Sequence, residues 1–144
     1  MNRIGTLLLI ATAFSSCHRL IKEPHSILES YKQYKVLSKL KSELKNGRLS
    51  DNTRDELIAF GEELAPRDSE LKLYKAIALR NRGEIARAKQ MLEQAIELSP
   101  NYSPAISAYG QLLVSYGKKK EGRNYCLYAL KLNPIDLAAR SCAR

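Results

Sequence analysis

Residues 83–102 read GEIARAKQMLEQAIELSPNY, from Gly83 to Tyr102, and their outline returns 34 residues later. Setting 69–102 above 103–136 gives six identities: Ser69/Ser103, Leu79/Leu113, Gly83/Gly117, Ala95/Ala129, Leu98/Leu132 and Pro100/Pro134. The matches fall where geometry is restrictive. Gly83 and Gly117 separate two helical patterns, where a tight turn favours a residue without Cβ. Pro100 and Pro134 stand where a helix must stop. Ala76/Gly110, Ala88/Gly122 and Ala95/Ala129 are small residues on faces that have to approach closely. A fixed period of this size is the mark of a repeat architecture.

The register extends backwards, since Gly61, Leu64 and Pro66 precede Ala95, Leu98 and Pro100 by 34. A helix is predicted over 26–46, with apolar residues at Leu28, Tyr31, Tyr34, Leu37, Leu40 and Leu44. Asn46-Gly47 stops it, the cluster Ser50 to Thr53 caps a second helix, and Pro66 ends that helix. Residues 26–66 therefore form a divergent repeat, 69–102 and 103–134 two regular ones, and 135–142 a short amphipathic capping helix. Ser103 is expected to cap the helix that Pro104 opens.

The period, the small residues, the turn glycines and the final prolines resemble the tetratricopeptide repeat. The family's early Trp is replaced by Lys72 and Ile106. The resemblance implies an all-α solenoid of antiparallel helix-turn-helix units, with the first helix of each unit on a concave inner face. It places Glu70, Leu73, Ile77, Arg80 and Asn81, then Ser107, Gln111, Val114 and Ser115, on that face. Such a groove takes an extended segment or a helix of a protein partner. For Leu73 and Ile77, packing against the preceding hairpin stays open as the alternative. Some family members hold chaperone C-termini in a carboxylate clamp, but here Tyr74, Pro104 and Ala108 occupy three of the clamp positions, so that role is not expected.

The N-terminus reads as an address. Arg3 precedes the uncharged run Ile4 to Phe14, which is shorter than the roughly 20 residues that span a bilayer. Ala11-Thr12-Ala13 offers an ordinary signal-peptidase site. Phe14-Ser15-Ser16-Cys17 resembles a bacterial lipobox, and that reading is preferred because it gives Cys17 a chemical role. It makes 1–16 a signal peptide and 17–25 a lipidated cysteine (diacylglycerol and palmitate) with a tether. His18, in place of the Asp that resembles an inner-membrane retention signal, points to the outer membrane facing the periplasm in a Gram-negative envelope. Export leaves Cys126 and Cys142 as a pair in an oxidising compartment. A disulfide and a merely buried Cys126 both fit.

The net charge of +9 suits an acidic partner, an anionic membrane or nucleic acid, and export argues against the last. Basic clusters lie at Lys32 to Lys45, Arg80 to Lys89, and Lys118 to Arg123. The two histidines, His18 and His25, fall in the expected tether. No nucleophile–base set, phosphate loop or paired metal ligands appear, so no catalytic residues, metal or cofactor are expected. The functional expectation is a cell-envelope lipoprotein acting as a protein-interaction scaffold, with assembly of a pilus or secretin as its narrower form. The alternative is a periplasmic or surface protein whose basic faces contact anionic lipid, glycan or wall polymer.

Overall fold

The computed structural model describes residues 23–46 and 48–144. The readings on the signal, on Cys17, on the tether up to residue 22 and on Gly47 lie outside the described residues. Among the described residues seven helices follow one another: α1 Glu23–Asn46, α2 Asp51–Leu64, α3 Ser69–Asn81, α4 Ile85–Leu98, α5 Ser103–Ser115, α6 Lys119–Leu132 and α7 Leu137–Ala143. The fold is all-α, as the period predicts. Among the described residues no helix is long and apolar enough to cross a membrane.

The chain divides into two compact units, 1–39 and 40–144. In the first, the described residues are the opening turns of α1, which begin at Glu23 and not at Ser26. Pro24 thus sits in the first turn of a helix, where its missing N–H leaves no bond unmade. Leu28, Tyr31 and Tyr34 do not form the buried stripe that their spacing predicts, for each is at least half exposed. Lys35 Nζ lies 4.8 Å above the Tyr31 ring. Burial along α1 starts at Leu40 and Leu44, in the second unit.

In the second unit the helices pair as the register requires. Gly83 and Gly117 adopt φ of 79° and 82°, the left-handed conformation that lets each hairpin turn. Asp68 Oδ1 accepts from the backbone N–H of Glu70 and Leu71 at 3.0 and 3.1 Å, and Asp136 Oδ1 accepts from that of Ala139 at 3.0 Å. Ser50 caps α2 through the N–H of Thr53. Ser103 does not cap α5, whose N-cap is Tyr102. Its buried hydroxyl instead faces Ala129 O at 3.1 Å and Asp136 Oδ2 at 3.0 Å, joining α5 to the end of α6 and the cap of α7.

The small residues mark the closest approaches. A Cβ on Gly110 would stand 2.6 Å from Cys126 Sγ and 2.7 Å from Gly122 O, and one on Gly122 2.5 Å from Gly110 O. Helices α5 and α6 therefore meet backbone to backbone. Ala95 and Ala129 are fully buried, and their register mate Gly61 is wedged between Leu40 and Leu71. Leu73, Ala76, Leu92, Tyr109, Leu112 and Leu113 fill the space between the hairpins. Tyr109 meets Tyr125 edge to face at 4.9 Å, and its hydroxyl donates to Glu93 at 3.0 Å. Cys126 and Cys142 form a disulfide with Cα atoms 5.9 Å apart. Of the two readings of these cysteines, the bonded one describes the protein, and Cys126 is buried as well.

Candidate functional site

The first helices of the two regular hairpins, α3 and α5, and the capping helix α7 enclose an open cleft of about 340 Å³. Leu73 and Ile77 from α3 and Pro104 and Ala108 from α5 supply its apolar surface. Arg80 and Gln111 stand at one end, Asp136 at the other. The helical spacing 73, 77, 80 keeps the α3 residues on one face, and 104, 108, 111 does the same for α5.

Of the nine residues expected on the inner face, Leu73, Ile77, Arg80, Ser107 and Gln111 line this cleft. Leu73 is 6% exposed and forms the floor, while Ile77 is half-buried and Arg80 exposed. Packing and groove lining are thus not alternatives for Leu73, which serves both. Ser107 is buried, and its hydroxyl donates to Pro104 O at 3.1 Å, so it offers a partner little. Gln111 Nε2 donates to Ala138 O at 3.0 Å and holds α7 in place.

The other four face elsewhere. Glu70 accepts from Lys41 Nζ at 3.2 Å and from the Tyr74 hydroxyl at 3.0 Å, in a network with Asp68. Asn81 is exposed at the end of α3, off the cleft. Val114 packs toward α6, its Cγ2 standing 2.7 Å from where a Gly122 Cβ would be. The Ser115 hydroxyl bonds back to Leu112 O at 2.7 Å. Spacing alone does not show that Val114, partly buried, turns toward Gly122 where α5 and α6 approach closely.

The wall formed by α7 was not anticipated, although its signal is in the register. Ala139 follows Ala105 by 34, and both are fully buried, so α7 repeats the start of a first helix and Ala138 takes the place of Pro104. Asp136 is already used, as the α7 cap and as acceptor for Ser103. Arg80 makes no ion pair among the described residues, which leaves a guanidinium fork open at the other end. The cleft suits a segment with apolar side chains and a carboxylate placed to reach that fork.

Off the cleft, several charged groups are held in ion pairs within the fold. Burial alone would raise the Glu62 carboxyl, but hydrogen bonds and charge from Lys72 and Lys75, at 2.5 and 2.6 Å, outweigh it and hold the group below the ordinary range. Burial would lower Lys41, but Asp68 and Glu70 raise it. Burial pushes the Tyr102 hydroxyl up to about 12, with Glu70 and Asp68 adding to the shift. Among the described residues no group of three His, Cys, Asp or Glu could hold a metal ion.

No protein-family model matches the chain, and no curated protein matches it. Solved structures do. A mutant O-GlcNAc transferase of Thermobaculum terrenum superposes with a TM-score of 0.68 at 21% identity over 76% of this chain, which spans only 21% of that protein's length. The first TPR of Spaghetti (RPAP3), bound to the HSP90 peptide SRMEEVD, superposes with 0.63 at 21% identity, covering 79% of this chain and 94% of that one. For the Arabidopsis OM64 TPR domain the values are 0.61 and 16%, covering 78% and 92%. At such identities the likeness concerns the fold, and that fold is the tetratricopeptide-repeat array of helical hairpins.

Proposed function

We propose that this protein is a cell-envelope lipoprotein whose TPR-like array is a scaffold for another envelope protein, held as an extended or helical segment in the α3–α5–α7 cleft. The cleft carries the proposal: an apolar floor of Leu73, Ile77 and Ala108 ends at the Arg80 fork, which is unpaired among the described residues. Two of the similar structures, the RPAP3 domains, hold peptides, SRMEEVD and SGPTIEEVD. Here Tyr74, Pro104 and Ala108 replace three residues of the chaperone clamp, so the partner differs from theirs. The lipid anchor rests on the Phe14 to Cys17 sequence. A lipoprotein's two or three acyl chains give stable attachment, whereas one is marginal. In its narrower form the role is assembly of an envelope complex such as a pilus or secretin.

Two variants test the halves separately. Cys17→Ala abolishes acyl labelling and releases the protein from membranes, and unchanged fractionation would remove the anchor. Arg80→Glu places a carboxylate where the partner's own is expected and abolishes capture of the partner, while Asn81→Ala, off the cleft, has little effect. Retention by Arg80→Glu with loss by Asn81→Ala would move the site elsewhere.

A further inference from the structure

The hairpin turns and the inter-repeat turns lie on opposite edges of the array, and their charges differ. The hairpin windows 46–55, 80–89 and 116–123 carry ten Lys and Arg against four Asp and Glu. The inter-repeat windows 62–71, 95–104 and 129–138 carry two against six. The hairpin edge is therefore basic and the inter-repeat edge acidic. Ion pairs use part of the basic charge: Arg54 with Asp51, Arg82 with Asp55 and Glu84, Arg87 with Glu84, Lys89 with Glu93, Lys118 with Glu121. Lys119 and Lys120 are exposed and make no ion pair among the described residues.

A pocket of about 210 Å³ opens on the same edge. Ile85, Leu112 and Leu113 form its hydrocarbon walls, Tyr116 stands on its rim 58% exposed, and Lys89 and Lys118 flank it. Gly117, at φ 82°, turns the chain directly from Tyr116 into Lys118-Lys119-Lys120.

We infer that this edge, from Tyr116 to Lys120, docks on a membrane surface rich in anionic phospholipid. Three features select that partner. The cations at the turn without an ion pair among the described residues, Lys119 and Lys120, are lysines, point charges that suit mobile headgroups, where paired recognition of one fixed carboxylate favours Arg. An exposed Tyr with a polar tip beside hydrocarbon matches the interfacial zone, where aromatic rings sit at headgroup level. The edge opposite is acidic, so attraction orients the array edge-on and leaves the cleft between α3 and α5 accessible. The docking does not depend on the N-terminal acyl anchor.

The test uses the full chain carrying Cys17→Ser, which takes no acyl group, in cosedimentation with vesicles. Binding is expected to mixed phosphatidylglycerol–phosphatidylcholine vesicles, to weaken with salt, and to be absent from phosphatidylcholine alone. Lys119→Ala/Lys120→Ala should lower partition about thirtyfold, and Tyr116→Ala should lower the part that survives high salt. Arg67→Ala/Lys131→Ala, which removes the same charge from the other edge, should leave partition nearly unchanged. Circular dichroism checks that all variants fold. Equal losses from both double variants would reduce the effect to net charge and overturn the assignment. So would binding to phosphatidylcholine alone, or failure on anionic vesicles with tight retention of a DNA duplex.

Discussion

Gly110→Ala separates two effects of opposite sign. Ala in place of Gly within a helix stabilises by about 0.5–1 kcal/mol through propensity alone. Here the new Cβ would stand 2.6 Å from Cys126 Sγ and 2.7 Å from Gly122 O. Neither atom yields cheaply, one being backbone and the other bonded to Cys142. Forcing a methyl group into a filled core costs about 1–3 kcal/mol, and the backbone contact puts this site in the upper half of that range. The net expectation is a loss of about 1–2 kcal/mol, or a melting point lower by roughly 4–8 °C for a chain of this size. Thermal and urea melts followed by circular dichroism at 222 nm measure it, with the disulfide intact. An unchanged or higher melting point would show that α5 and α6 do not approach backbone to backbone, and the hairpin geometry would fall with that result.

Other expectations rest on single features. Gly83→Ala has nothing within 4 Å to collide with, but its φ of 79° is left-handed, so it costs about 1 kcal/mol in the same melts. The Cys126–Cys142 bond spans 16 residues, and closing a loop of that size stabilises by about 3 kcal/mol. Cys142→Ser should lose most of that, and hydrogen exchange should speed up first in α7. Glu62 has a depressed carboxyl pKa, so its stabilisation is full above the ordinary value of 4.5 and is lost as the pH falls through the folded-state value. Glu62→Gln should therefore be less stable than the parent by about 1 kcal/mol at pH 7, with the gap in urea-melt stability closing in acid. A gap that widens in acid would contradict the ion-pair reading.

Much of the fold was legible because repeats expose their constraints twice. The turn glycines, the terminal prolines and the pairs Ala95/Ala129 and Ala88/Gly122 mark positions where geometry admits few residues, and they recur at one spacing. The apolar spacing of Leu28, Tyr31 and Tyr34 gave a helix but not its burial, because spacing fixes a face and not whether anything packs on it. The site was partly legible for the same reason. Register fixes which face a residue is on, so Leu73, Ile77 and Arg80 fall together along one cleft. It does not say how near the next helix comes, which decides Val114, nor which hydrogen bond a side chain prefers, which decides Ser103 and Gln111. The capping helix as a cleft wall needed the third copy of the register, of which only the opening turns are present in α7.

Site-specific photocrosslinking in the native cell tests the central claim most directly. A photoreactive residue at Ile77 or Ala108, on the cleft, should give the same discrete protein adduct, and Arg80→Glu should abolish it. The same residue at Gln90, exposed on α4 and off the cleft, should give none. Adducts from Gln90 with none from Ile77 or Ala108 would contradict the account.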